Sequence, residues 1–217
     1  MAVKTKKSVI YHIPKCGGIW VKETIRRAGI PYTRSKDRAV GHKELRNDFG
    51  LEREHSLPPN MWPEDVKGLF SFCFVRHPLG WYKSIWRFRK SYQVLNPKFP
   101  VDRNWVPVYE DFVNNMLNSY PNGFVTELFQ YYVGENIDGV DFVGRQENLA
   151  DDLVKALTLA DETFDEKILR TTKRWNRSKE YTAVLSEETQ NRVLEVEKWV
   201  IDSFYSGRQN AQMVSNP

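Results

Sequence analysis

The chain has little of what builds extracellular, metal-dependent or membrane scaffolds. Of its 217 residues, two are cysteine and four are histidine. Two cysteines cannot make the disulfide framework that a secreted protein of this kind would want, so Cys16 and Cys73 are expected as reduced thiols in a reducing compartment. The histidines are dispersed and form no Cys/His cluster, so no metal site is expected. No apolar run approaches the roughly 20 residues that cross a bilayer. Lys4, Lys6 and Lys7 could head a secretory leader, but the apolar stretch behind them stops at Pro14-Lys15. A cytoplasmic protein with no membrane partner is the expectation. There is also no internal repeat and no low-complexity linker, so residues 1–217 read as one domain, long enough for a real core.

What is present is charge, unevenly placed. The net charge of +4 conceals a balance of +8 over residues 1–50, from 12 Lys/Arg against 4 Asp/Glu. Residues 76–103 add +6, from 7 against 1, and the remainder carries −10, from 13 against 23. Such an excess supports polyanion binding without naming the anion, and a nucleic-acid binder would show a similar one.

The first basic segment contains a motif. Ser8 to His12 reads as a short strand, Pro14, Gly17 and Gly18 break it, and Val21, Ile25 and Ala28 restore a helical spacing. A strand that turns through glycines into a helix leaves backbone N–H groups unpaired at the positive end of the helix dipole. Lys15 adds a full charge, so Lys15, Cys16, Gly17, Gly18, Ile19 and Trp20 are the expected cradle for a phosphate or sulfate. A P-loop would need its lysine after the last glycine and a hydroxyl next to it for magnesium; here Lys15 precedes both glycines and Ile19 follows them. A cysteine phosphatase would use Cys16 as a thiolate at the helix start, with an arginine six positions on, where this chain has Lys22. A Gly-Gly turn with no ligand is the remaining alternative for this motif alone.

The second basic segment repeats the pattern. Leu69 to Val75 is an apolar, aromatic-rich run suited to a buried central strand. It ends in Arg76-His77-Pro78, with Pro78 placed for the first turn of a helix marked by Trp81, Ile85, Phe88 and Tyr92. Ser84 falls two turns inside that helix, on the face of His77. Arg76 and Ser84 are thus expected to grip a second phosphate.

With both motifs in view, the chain resembles the sulfotransferases that use 3′-phosphoadenosine 5′-phosphosulfate (PAPS). His12-Ile13-Pro14-Lys15-Cys16-Gly17-Gly18 is similar to their 5′-phosphosulfate loop, and Phe74-Val75-Arg76-His77-Pro78 with Ser84 to their 3′-phosphate motif. Phe142 to Leu149, with Asp152 and Leu153, resembles their late strand-to-helix segment. Asn176-Arg177-Ser178-Lys179, then Tyr181, resembles their donor-covering loop, and Asp202-Ser203-Phe204-Tyr205 their closing helix. The matches run in the family's order from residue 8 to about 205. Two positions depart from it: many members carry Thr or Ser where this chain has Ile19, and arginine where it has Trp81.

The resemblance implies a three-layer αβα sandwich around a central parallel sheet, P-loop-NTPase-like, with PAPS as donor, PAP (adenosine 3′,5′-bisphosphate) as product and no metal. It implies donor contacts from Lys15 to Trp20, Arg76, Ser84 and Arg177. It also implies a carbohydrate or small-molecule acceptor, no nucleic acid, and the bacterial or viral cytoplasmic type, since Golgi members usually carry an N-terminal anchor.

Lys15 is the expected catalytic cation. The expected base is His42, which lies between the two motifs in Gly41-His42-Lys43-Glu44-Leu45; Glu44 is second and His55 third. Two other readings stay open: a catalytically silent nucleotide or polyanion binder, and a nucleotide kinase-like phosphotransferase that would need ATP and magnesium.

The sequence pattern predicts strands at about 7–12, 70–76 and 140–144. It predicts helices at about 18–28, 79–92, 109–119, 124–132, 147–159 and 186–204. Residues 31–68 and 93–108 read as long irregular insertions over the site, in which Trp62 or Trp105 could stack on an acceptor ring.

Overall fold

The computed structural model describes residues 2–35, 49, 66–92, 95–173 and 181–207. Within these the chain is a mixed α/β protein with a mostly parallel sheet. It divides into two compact units, interleaved in sequence. The first holds Met1–Lys43, Leu51–Arg76 and Tyr131–Trp175; the second holds Glu44–Gly50, His77–Gln130 and Asn176–Pro217.

The first unit is built on a five-stranded sheet in the order β3-β1-β2-β4-β5. Its strands are β1 (Ala2–Lys4), β2 (Ser8–Tyr11), β3 (Thr33–Ser35), β4 (Phe70–Val75) and β5 (Phe142–Arg145). β2, β4 and β5 are parallel, in registers that pair Tyr11 with Cys73 and Val75 with Arg145. β1 runs antiparallel to both β2 and β3. The expected parallel sheet holds for β2, β4 and β5, and the antiparallel β1 at the edge was not anticipated. Three-residue strands carry too little alternation to be legible, and a tight turn at 5–7 turns β1 directly back into β2 as a hairpin. Thr5 N donates to Ser8 O at 2.9 Å, and Glu162 Oε1 accepts from Lys7 N at 2.9 Å, which fixes the turn.

β4 behaves as its composition dictates. Phe72, Cys73, Phe74 and Val75 are all at most 3% exposed, so the strand is covered on both faces. Among the described residues of this unit, three helices join the sheet: α1 (Gly18–Arg27), α6 (Leu149–Leu159), which packs on β4 and β5, and α7 (Glu166–Thr171), which packs on α1 and α6. α7 was not anticipated; six residues are too few to show a helical period. Trp20 Nε1 donates to Thr172 O at 3.2 Å and ties α1 to the end of α7.

The second unit is helical: α2 (Pro78–Tyr92), α3 (Pro100–Asn104), α4 (Tyr109–Ser119), α5 (Phe124–Val133, whose last residues belong to the first unit), α8 (Glu187–Val196) and α9 (Lys198–Phe204). Its core stacks Trp81, Tyr82, Trp86, Phe112 and Phe124, each at most 1% exposed. α3 sits in the segment read as irregular; Pro100 at its first turn starts it, and the buried Arg89–Asp102 ion pair, 2.6 Å, ties it to α2.

The single helix expected over 186–204 is two. Ser186 caps α8 as its sequence suggests, accepting from Thr189 N at 3.2 Å. The break falls at Glu197, whose backbone (φ −94°, ψ 24°) leaves the helical region. Its fully buried carboxylate accepts from Tyr82 Oη at 2.7 Å, Val125 N at 3.1 Å, Thr126 N at 2.7 Å and Thr126 Oγ1 at 2.8 Å. Glu197 therefore satisfies the first N–H groups of α5 from another helix.

Candidate active site

The loop between β2 and α1 is the centre of the candidate site. It leaves the sheet at the carboxyl end of β2, where open α/β sheets bind ligands. Lys15 adopts φ 64°, a left-handed conformation that costs a non-glycine residue energy and is concentrated at functional turns. Gly17, at φ 91°, is the N-cap of α1 and offers no side-chain acceptor to the first turn, which also lacks any acidic residue. The positive end of the helix is left to its surroundings, as an anion site requires.

Both glycines also have reasons inside the fold. The left-handed turn favours glycine at position 17, and a Cβ there would lie 2.5 Å from a methyl of Leu149. At Gly18 the obstacle is the imidazole of His12, which lies directly over the Cα and would overlap any Cβ. His12 is thus more than a strand terminus: its ring braces the start of α1.

Arg76 stands at the end of β4, the parallel neighbour of β2, and its Nη1 donates to Lys15 O at 3.2 Å. The structure thereby brings Lys15, Cys16, Gly17, Gly18 and Arg76 into one cluster. Ser84 belongs to the second unit, half-buried on α2. His42, Glu44, His55, Trp62 and Arg177 lie outside the described residues.

Cys16 is 1% exposed, and its Sγ donates to Pro14 O at 3.3 Å. Burial pushes its thiol well above the ordinary range, more than the charges of Arg76 and Lys15 draw it down. It stays protonated near neutrality, so the chemistry of a cysteine phosphatase has no nucleophile here. Its backbone N–H donates to Ile13 O at 3.4 Å, a long bond that closes the turn. Trp20 is 5% exposed, with its indole N–H committed to Thr172 O.

Glu147, in the 3-10 turn Gln146–Asn148 after β5, lies close enough to Cys16 to push its thiol up. Sequence reading placed that segment in the family pattern without giving Glu147 a role; its approach to the loop depends on strand order, which a linear motif does not carry. Trp105, half-buried, stands just after α3. Among the described residues no group of His, Cys, Asp or Glu could hold a metal ion, and no helix is long and apolar enough to cross a membrane.

Beside the loop lies a cavity of about 340 Å3, walled by β1, β2, β4 and α1. Val3, Ile10, Ile13, Ile19, Val21 and Phe74 give it an apolar lining, with His12, Tyr11 and Lys22 as polar points. Burial, with Cys73 and Asp141 nearby, pushes the Tyr11 phenol up to about 12, so it is un-ionised. Comparison with family models, curated proteins and solved structures found no match.

Proposed function

We propose that this chain is a sulfotransferase that moves a sulfuryl group from PAPS to an acceptor hydroxyl. The observation that carries the reading is the pairing of two cationic strand ends: the Lys15–Gly18 loop after β2 and Arg76 after the parallel β4, joined by the Arg76–Lys15 hydrogen bond. A ligand with an anionic group at each end of a nucleoside would engage both. The uncapped N-terminus of α1 supports the same reading. We extend the proposal to the fold: the mixed sheet belongs to a three-layer αβα sandwich of the P-loop-NTPase-like type.

In the reaction, a lone pair of the acceptor oxygen forms the new O–S bond. The bond from sulfur to the bridging oxygen breaks, and its electron pair goes to the 5′-phosphate of PAP. The acceptor proton passes to a base, for which His42 is proposed and Glu44 is the alternative. Lys15 and the loop N–H groups stabilise the charge that builds on the moving group and the leaving phosphate. Arg76, Ser84 and Arg177 would hold the rest of the donor. No metal is required, since the leaving group is neutralised by protein cations, and no nucleic acid or membrane enters the scheme. We extend the proposal to a cytoplasmic location, as the resemblance to the bacterial or viral type implies.

The test is transfer of label from [35S]PAPS to a broad acceptor mixture. Label should appear in an acceptor, and Lys15→Ala should abolish transfer while weakening PAP binding far less, because the lysine counts most where charge develops. PAP binding without transfer to any acceptor would favour a silent nucleotide binder. Binding of ATP with magnesium in preference to PAP would favour a phosphotransferase.

A further inference from the structure

We infer that the cavity of about 340 Å3 under α1 is a second ligand site, built for a small carboxylate with a short apolar chain and taking no part in sulfuryl transfer. Gly18 and Ile19 stand between it and the anion loop, so it is a site of its own and stands whether or not PAPS is the donor.

The sheet supplies the floor. Val3 pairs with Ile10, and Ile10 with Phe72, so strand alternation puts Val3, Ile10 and Phe74 on one face. α1 lies over that face and turns Gly18, Val21 and Lys22 toward it at helical spacing. Under its first turn the space is taken by the His12 imidazole, which lies against Gly18. Past the ring, Val3, Ile10 and Val21 are too short to close the gap between helix and sheet.

Such a gap is unusual. Protein interiors pack as densely as organic crystals, and voids much larger than a water molecule are few. This one lies near the lower end of the range that ligand pockets occupy, about 300–1,000 Å3. Val3, Ile10, Ile13, Val21 and Phe74 are all buried and offer no side-chain hydrogen bond, so water has little to hold it there. An apolar guest regains the dispersion contacts that the lining lacks.

Lys22 sets the charge of that guest. It is half-buried in the cavity wall, one turn on from the exposed Ile19. A lysine in this position lays its stem along apolar surface and carries the ammonium out to water. Among the described residues no acidic side chain pairs with it; its neighbour Glu23 is held by Arg26 and Arg27. One ammonium without a guanidinium fork matches a single carboxylate, whereas phosphates are better served by the loop and Arg76. The guest thus has a single negative charge at the rim and hydrocarbon within.

Calorimetry on the full chain tests this with octanoate, octanol and octylammonium as probes. Octanoate should bind saturably and best, octanol more weakly and octylammonium least. Lys22→Met should weaken octanoate by about fivefold, the upper end for a partly exposed ion pair, and leave octanol unchanged. Lys22→Glu should reverse the order, so that octylammonium binds better than octanoate. Val3→Phe fills the interior and should weaken octanoate and octanol alike, by about fivefold or more. The two Lys22 variants change a side chain at the rim and keep the test alive should Val3→Phe not fold. PAP added to the octanoate complex should leave octanoate affinity unchanged within about twofold, as two separate sites require. Absence of saturable octanoate binding, an order of probes that Lys22→Glu leaves as it was, a folded Val3→Phe protein that binds octanoate normally, or displacement of octanoate by PAP would each overturn the inference.

Discussion

Three residues decide how the loop works. Lys15 holds a left-handed conformation, Gly18 lies under the imidazole of His12, and Arg76 grips the Lys15 carbonyl. The Gly18 contact makes a clean prediction. Gly18→Ala should destabilise the protein by about 1–3 kcal/mol through overpacking, and the same change in a His12→Ala background should cost clearly less. Urea denaturation of the four proteins measures this; equal costs in both backgrounds would mean that the ring does not set the requirement for glycine. Arg76→Ala removes a charge-assisted contact of about 1.5–3 kcal/mol, so PAP should bind roughly 10- to 100-fold more weakly. Since Arg76 also braces the loop, AMP should weaken too, but less. Equal losses for PAP and AMP would reduce Arg76 to a support for Lys15.

At the scale of elements, the joint between α8 and α9 couples a buried carboxylate to the start of α5. Burial raises the Glu197 pKa above its usual value despite four hydrogen bonds that lower it. A carboxyl whose folded pKa is raised contributes stability below its unfolded pKa, near 4.5, and that contribution is lost as pH rises through the folded pKa. Glu197→Gln turns an amide NH2 toward backbone donors, so at pH 7 it should cost about 1–3 kcal/mol. Because only the wild type titrates there, its advantage over Glu197→Gln should widen as pH falls from 7 toward 4. Denaturation curves at the two pH values check this, and an advantage that narrows would show that hydrogen bonding outweighs burial.

Elements with length or composition behind them were legible in the sequence. β4 declared itself by an apolar, aromatic-rich run, α2 by the spacing of Trp81, Ile85, Phe88 and Tyr92, and α8 by the Ser186 cap with Glu187 and Glu188 after it. β1, β3, α3 and α7 were not, because each is shorter than two periods of its own pattern. The Glu197 break was also hidden: its cause is a set of partners some 70 to 115 positions away.

For the molecule as a whole, the two anion motifs were readable as separate stretches, while their meeting was not. The β2–β4 register brings Arg76 to the Lys15 loop across 61 positions, and that same register encloses the cavity under α1. The charge pattern is the whole-molecule trace of this arrangement, with the positive excess confined to residues 1–50 and 76–103. A fold that gathers two cationic strand ends gains stability from any ligand that bridges them. The most direct test of the account is therefore a thermal-unfolding comparison of PAP, AMP and ATP with magnesium at equal concentration. At about 100 times its dissociation constant PAP should add roughly 2.7 kcal/mol of stability and the largest rise in Tm, with AMP well below it. Equal shifts for PAP and AMP, or a larger one for ATP with magnesium, would contradict the account.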